Sequence, residues 1–247
     1  MSVVILSPHL DDAVLSCWHL LDRSGEVAVI NVFAGVPTDL SQPAWWDQYT
    51  GAADSAQRVR ERIEEDRSAL ALAGRTSVNL GFLDEQYRDR DQPLAPLIQQ
   101  IERQLTPGAR IFAPAAFADH TDHALVRAAA LELRATGFAV SLYADLPHAT
   151  LQGWPAWVTR TRTSKDLAGA RWDHVLASTA ALAPTVHRLD HERYARKLAA
   201  VRAYATQVEA LEEFVGRPLT DPETLGYEVA WATSSPSRAE KREARHR

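Results

Sequence analysis

Residues 1–13 read MSVVILSPHLDDA. Val3 to Leu6 form a short apolar run rich in β-branched residues, which predicts a strand buried on both faces. The run ends at Ser7 and Pro8, after which a histidine and two aspartates crowd together as His9, Asp11 and Asp12. A helix is expected from about Asp12 to Leu21. In an open parallel sheet, the loop beyond the carboxyl end of a strand faces the ligand crevice, so these polar groups stand where ligands arrive. An aspartate at a helix start is often only an N-cap. That role accounts for one aspartate and leaves the other, and the histidine, unexplained. The segment lacks a positively charged start and its acids follow the apolar run closely, so a first strand is expected in place of a secretory signal.

Outward from this stretch, apolar runs alternate with helical patterns. Strands are expected at Val27 to Phe33, Ser77 to Leu80, Arg110 to Ala113 and Ala139 to Tyr143. Helices are expected at Val59 to Ala73, stopped by Gly74, at Pro96 to Leu105 and at Thr121 to Leu133. The alternation implies an α/β fold: a Rossmann-like open, mainly parallel sheet with helices on both faces. Past about residue 150 the pattern breaks into an irregular C-terminal add-on. There Trp154 to Arg162 and Trp172 to Ala177 are expected as strands, and Glu192 to Glu213 as one long helix. The expected organisation is a single domain over 1–235 and a basic, solvated tail at 236–247. Val36 to Tyr49, with two prolines and the pair Trp45 and Trp46, reads as a long lid or binding loop.

Composition narrows the function classes. The chain has 247 residues, is 46% hydrophobic and carries a net charge of −5, which argues against nucleic acid as its main partner. No apolar run approaches the roughly 20 residues that span a bilayer, so no membrane partner is expected. Cys17 is the single cysteine, so no internal disulfide can form and a cytoplasmic location is expected. The first strand-to-helix turn has no glycine-rich phosphate loop, and its acids would repel a pyrophosphate; a dinucleotide site is rejected. A homo-oligomer stays open.

A second cluster, DHTDH at 119–123, follows the strand IFAP and opens the next helix. His120 and His123 are three apart and share one helical face beside the carboxylate of Asp122. Two imidazoles with a carboxylate suit a metal with an oriented outer shell. In a common doubly wound order, strands one and four are neighbours at the switch point, so both clusters line one crevice. Two neutral histidines and one carboxylate leave a bound divalent ion positive and open at a fourth position, the pattern of catalytic zinc. Iron(II) accepts the same set.

At these residues the chain resembles the LmbE-like or PIG-L-like family of zinc-dependent N-deacetylases. The family's motif P-H-P-D-D-E stands here as PHLDDA, and its H-x-D-H as HTDH at 120–123. The resemblance implies Zn2+ held by His9, Asp12 and His123, with Asp11 as general base and later acid. It implies His120 as donor to the oxyanion, with Asp122 holding the His120 ring. It also implies an acylated amino sugar or sugar conjugate as the small-molecule partner. Leu10 and Ala13 depart from the family pattern, and neither is a proposed ligand. The alternatives are a metal-dependent hydrolase of another amide, an ester or a phosphoester, and a non-catalytic binding module.

Other residues carry weaker expectations. Asp84, Tyr87 and Arg88 follow the third strand and point toward the crevice side. His148 is expected as a surface histidine, and Arg62 and Glu65 as part of a solvated ion-pair face. The helix bearing Lys197, Tyr204 and Gln207 is a candidate cover for the site. His19, His174, His187 and His191 are expected to be structural or exposed, and Cys17 to be an inert core thiol.

Overall fold

As far as Tyr143, strands and helices alternate along the chain: β1 (Val3–Ser7), α1 (Asp12–Ser16), α2 (Trp18–Leu21), β2 (Val27–Asn31), α3 (Trp45–Tyr49), α4 (Ser55–Ala71), β3 (Ser77–Asn79), α5 (Leu94–Glu102), β4 (Arg110–Pro114), α6 (Thr121–Thr136) and β5 (Ala139–Tyr143). The remainder contributes α7 (Ala156–Thr159), α8 (Gly169–Ser178), β6 (Thr185–Arg188), α9 (His191–Val201), α10 (Val208–Val215), α11 (Pro222–Leu225) and β7 (Tyr227–Ala232). The structure, a computed structural model, describes residues 2–38, 42–117, 120–160, 168–179 and 181–234. The basic tail at 236–247 and Asp119 of the second motif lie outside the described residues.

All seven strands join one sheet in the order β3-β2-β1-β4-β5-β7-β6. The first five pair in parallel, with Ile5 opposite both Val29 and Phe112. β7 runs antiparallel between β5 and β6. Successive side chains of a strand point to opposite faces, and the core divides accordingly. Val4, Leu6, Ile30 and Ile111 pack on one face with Leu97 of α5, Val126 and Leu133 of α6, and Trp172 of α8. Val3, Ile5, Val29 and Phe112 pack on the other with α1, α2, Leu70 of α4 and Val201 of α9. Helices on both faces explain why β1 is buried along its whole length. The chain runs outward from β1 to β3, then returns to β4, so a crevice opens beyond the carboxyl ends of β1 and β4. No helix among the described residues is long and apolar enough to cross a membrane.

The C-terminal third differs from the sequence expectation. The stretches expected as strands form helices instead, α7 within the first and α8 over the second, because Trp172 and Val175 lie three apart and bury one helical face. The strands that do occur, β6 and β7, were not anticipated. The long helix expected over Glu192 to Glu213 is two helices, α9 and α10. The break between them turns Thr206 and Gln207 toward the rest of the molecule: Thr206 donates to Glu65 from its N–H (2.8 Å) and its hydroxyl (2.8 Å).

The helix expected from Asp12 to Leu21 is likewise interrupted, at Cys17. The backbone N–H groups freed at the start of α2 find a partner from the far end of the chain. Glu228 on β7 accepts from Trp18 N (2.7 Å) and His19 N (2.8 Å). The same carboxylate pairs with Lys197 Nζ of α9 (2.7 Å) and with His19 Nδ1 (2.7 Å), and His19 stacks on His187. Burial resists the charge of Glu228, but Lys197 and His19 outweigh it and hold the carboxyl well below the usual range. Removing one partner of such a buried pair strands the other charge. Lys197→Met is therefore expected to destabilise the protein by about 3–5 kcal/mol, read from urea unfolding; an unchanged midpoint would contradict the clamp.

Candidate active site

The turn after β1 is tied by its own side chains. Ser7 Oγ donates to the His9 carbonyl (2.6 Å) and accepts from Ala13 N (3.0 Å), while Asp12 Oδ2 accepts from His9 N (2.8 Å). Asp11 occupies the N-cap position of α1 but makes no side-chain cap. The simple capping role thus fails for it, and its buried carboxylate faces the crevice.

Asp12 is the centre of the arrangement. Its Oδ2 lies 3.4 Å from His9 Nδ1 and 3.5 Å from His123 Nε2. Each imidazole is braced on its opposite nitrogen by another carboxylate: His9 Nε2 by Asp122 (3.2 Å) and His123 Nδ1 by Asp145 (3.0 Å). Among the described residues, His123 Nε2 is buried with no hydrogen-bond partner. In a tetrahedral zinc site with bonds of about 2.0–2.1 Å, ligand atoms stand about 3.4 Å apart, which matches the two spacings made by Asp12 Oδ2. Carboxylates behind both rings match the outer shell that fixes imidazole ligands. Among the described residues, the sets whose ligand atoms all lie within 4.8 Å of one another are His9, His120 and His123, and His9, Asp84 and Asp122; the expected set of His9, Asp12 and His123 is not one of them.

Electrostatics agree with a site short of positive charge. Burial disfavours charge on His9, yet Asp84, Asp12 and Asp122 outweigh it and hold its pKa well above the ordinary value. Burial pushes the Asp11 carboxyl upward against the pull of Arg62, with Asp12 adding to the rise. Burial and the neighbouring His9 and His123 hold His120 well below the usual imidazole range. The same causes, burial and then His123, lower His148 to about 4. Both rings are neutral at pH 7.

The sequence clusters therefore meet, with three corrections. Asp122 touches His9 and not the His120 ring; it also accepts from Arg88 Nη2 (2.6 Å) and Glu85 N (3.0 Å). Arg62, expected on a solvated face, is buried with its Nη2 3.8 Å from Asp11 Oδ1. His148, expected at the surface, sits edge-on to His123 with ring centroids 4.9 Å apart. Asp145 was missed, although it stands three residues before His148 in the segment that ends β5. Asp84 reaches the crevice, 3.7 Å from His9 Nε2.

Above these groups opens a cleft of about 450 Å³. Its floor is polar and its outer wall is apolar. The wall comes from α3 and α10, with Trp46 Nε1 donating to Gln207 Oε1 (2.9 Å) across the gap.

Comparison with known proteins bears on this geometry. The profile of the family PIG-L, GlcNAc-PI de-N-acetylase, matches residues 4–134. A search of curated proteins finds no match. Among solved structures, the A40926 pseudoaglycone deacetylase Dbv21 is similar at 25% identity, with 96% of this chain and 98% of that chain covered and a TM-score of 0.70. A deacetylase triple mutant of teicoplanin biosynthesis reaches a TM-score of 0.74 at 24% identity, covering 96% and 100%. The N,N'-diacetylchitobiose deacetylase from Pyrococcus horikoshii is similar at 16% identity, covering 87% and 75%, with a TM-score of 0.52. The family match spans more than half of the sequence and both histidine-bearing loops, and the chain belongs to the PIG-L family.

Proposed function

We propose that this protein is a zinc-dependent deacetylase that hydrolyses the amide of an N-acetylated amino sugar or sugar conjugate. The observation that carries this reading is the pair of imidazoles, His9 and His123, each braced from behind by a carboxylate and each facing Asp12 Oδ2. His9, Asp12 and His123 are the residues that would hold the ion. When bound, zinc would supply Lewis acidity toward the amide carbonyl and toward water.

The chain's own groups provide the rest. Asp11 lies beside the ligands without a capping duty, and its burial-raised carboxyl is suited to accept a proton from water. The water oxygen bonds to the acyl carbon, the carbon–nitrogen bond breaks, and Asp11 returns the proton to the departing amine. Acetate and a free amino sugar result. Arg62 holds Asp11 in place and tempers its pKa. A neutral His120 has an N–H to donate to the developing oxyanion, a contribution of the kind that preorganised donors make. Asp122 and Arg88 form a second tier that fixes His9.

The family match and the similarity to the A40926 pseudoaglycone deacetylase Dbv21, at 25% identity, support the same reading. Fold alone does not fix the reaction, so the test is chemical. The zinc-loaded protein is expected to release acetate from N-acetylglucosaminides and to lose this activity on chelation. Absence of acetate from every N-acetyl sugar offered would reject the reading. Asp11→Asn is expected to lower kcat by about 10²–10⁴ while zinc still binds at one equivalent. Asp145→Asn, which leaves the ligands intact but weakens the brace on His123, is expected to weaken zinc affinity about 10–100-fold in a chelator competition; an unchanged affinity would remove Asp145 from the site.

A further inference from the structure

The turn that follows β5 contributes to the floor twice. Asp145 braces His123 on Nδ1, and three residues later His148 packs edge-to-face with the same ring, centroids 4.9 Å apart. The backbone between and beyond them is fixed. Leu146 N donates to Ser16 Oγ (2.9 Å), Ala149 N to the Asp145 carbonyl (2.8 Å), and Trp172 Nε1 to the Ala149 carbonyl (3.1 Å). A ring carried on so constrained a turn is held close to one position.

His148 lines the cleft, and its chain neighbours that line it too, Leu146, Pro147 and Leu151, are all apolar. The imidazole is therefore the polar group of that stretch. Its ring stands 5.8 Å from His120, and His120 and His123 are themselves 4.9 Å apart. Apart from His9, itself a proposed ligand, His148 is the described residue whose ring meets both. It belongs to neither set of donor atoms close enough to share an ion. Among the described residues its side chain makes ring contacts and no hydrogen bond. A partly buried imidazole without a protein partner, on the wall of a cleft, takes its partner from the ligand.

The chemistry of an amide says which partner. In the reading above His120 serves the carbonyl oxygen and Asp11 carries the protons. The amide N–H is left, and enclosing it without an acceptor costs a hydrogen bond. Oxygen and nitrogen of an amide share one carbon, so the acceptor for the N–H must stand close to the donor for the oxygen. His148 does. Glu85 also approaches His120 (3.7 Å), but an imidazole loses less hydration than a carboxylate when a substrate covers it.

We infer that His148 accepts a hydrogen bond from the N–H of the scissile amide and holds that nitrogen over the histidine floor. This rests on the deacetylase reading and goes further by assigning the residue that recognises the nitrogen side of the bond to be cleaved. No proton passes to His148; the ring fixes the nitrogen in place while Asp11 delivers the proton to it.

The zinc-loaded protein and its His148→Leu, His148→Asn and His148→Gln variants are assayed on whichever N-acetylglucosaminide the wild type turns over best, by amine release. The matched 2-O-acetyl glucoside, which carries the same acyl group and no N–H, is assayed by acetate release. His148→Leu is expected to lower kcat/KM for the amide on the order of 10–100-fold while sparing the ester and leaving zinc bound at one equivalent. If the ester is not turned over, its inhibition constant against the amide is the quantity expected to stay the same. Asn and Gln set an acceptor oxygen near one ring nitrogen or the other, and at least one of them is expected to recover most of the amide turnover. An amide rate untouched by His148→Leu would overturn the inference. So would an equal loss on amide and ester, a fall in bound zinc, or no recovery in either polar variant; each leaves the deacetylase reading standing. Absence of amine from every N-acetylglucosaminide with the wild type would overturn both.

Discussion

Two imidazoles and a carboxylate buried at the base of a cleft each lose hydration, and none of them would remain there without compensation. Around Asp12 the compensation comes from behind. Asp122 braces His9 and is itself satisfied by Arg88 and the Glu85 N–H. Asp145 braces His123 and accepts from the Phe117 N–H. Hydrogen bonds to charged groups contribute about 1.5–3 kcal/mol each, and here they also fix which nitrogen of each ring faces inward. The parallel pairing of β1 with β4 makes this possible, because it brings together two loops more than a hundred residues apart in sequence.

The C-terminal third completes the cleft. Tyr204 donates to Asp66 (2.8 Å), Thr206 to Glu65, and Gln207 receives Trp46. These contacts fasten the turn between α9 and α10 onto α4 and α3, so one wall of the cleft belongs to a region outside the family match. A histidine floor carried by the family-matched region and a mouth built partly by a later segment is an arrangement in which specificity can diverge without disturbing the chemistry.

Much of this was legible in the sequence, for identifiable reasons. The sheet as far as β5 could be read because parallel strands buried on both faces leave short apolar runs, and β1 and β5 show them plainly. The floor could be read because His9, Asp11, Asp12, His120 and His123 fall in two tight groups directly after strands. Asp145 escaped notice because a lone aspartate beyond a strand has no spacing partner. Arg62 escaped because a charged helix face normally looks outward; α4 turns Arg58, Arg62 and Asp66 inward, where Thr50 and Thr206 carbonyls, Asp11 and Tyr204 receive them. β6 and β7 escaped because an edge strand such as Thr185–Arg188 is half wet, and Glu228 interrupts the apolar pattern of its neighbour.

That glutamate has a consequence for how the molecule comes into being. A ribosome delivers α1, α2 and α9 before it delivers β7, so during synthesis the ammonium of Lys197 and the bare amides of Trp18 and His19 wait for an acceptor that has not been made. The nascent chain can assemble its parallel strands early, yet the shelf of helix directly behind the histidine turn stays unlatched until Glu228 arrives. Seating of that helix is thereby tied to the arrival of β7, and a fragment cut off before it would display the histidine turn on a loosely seated support.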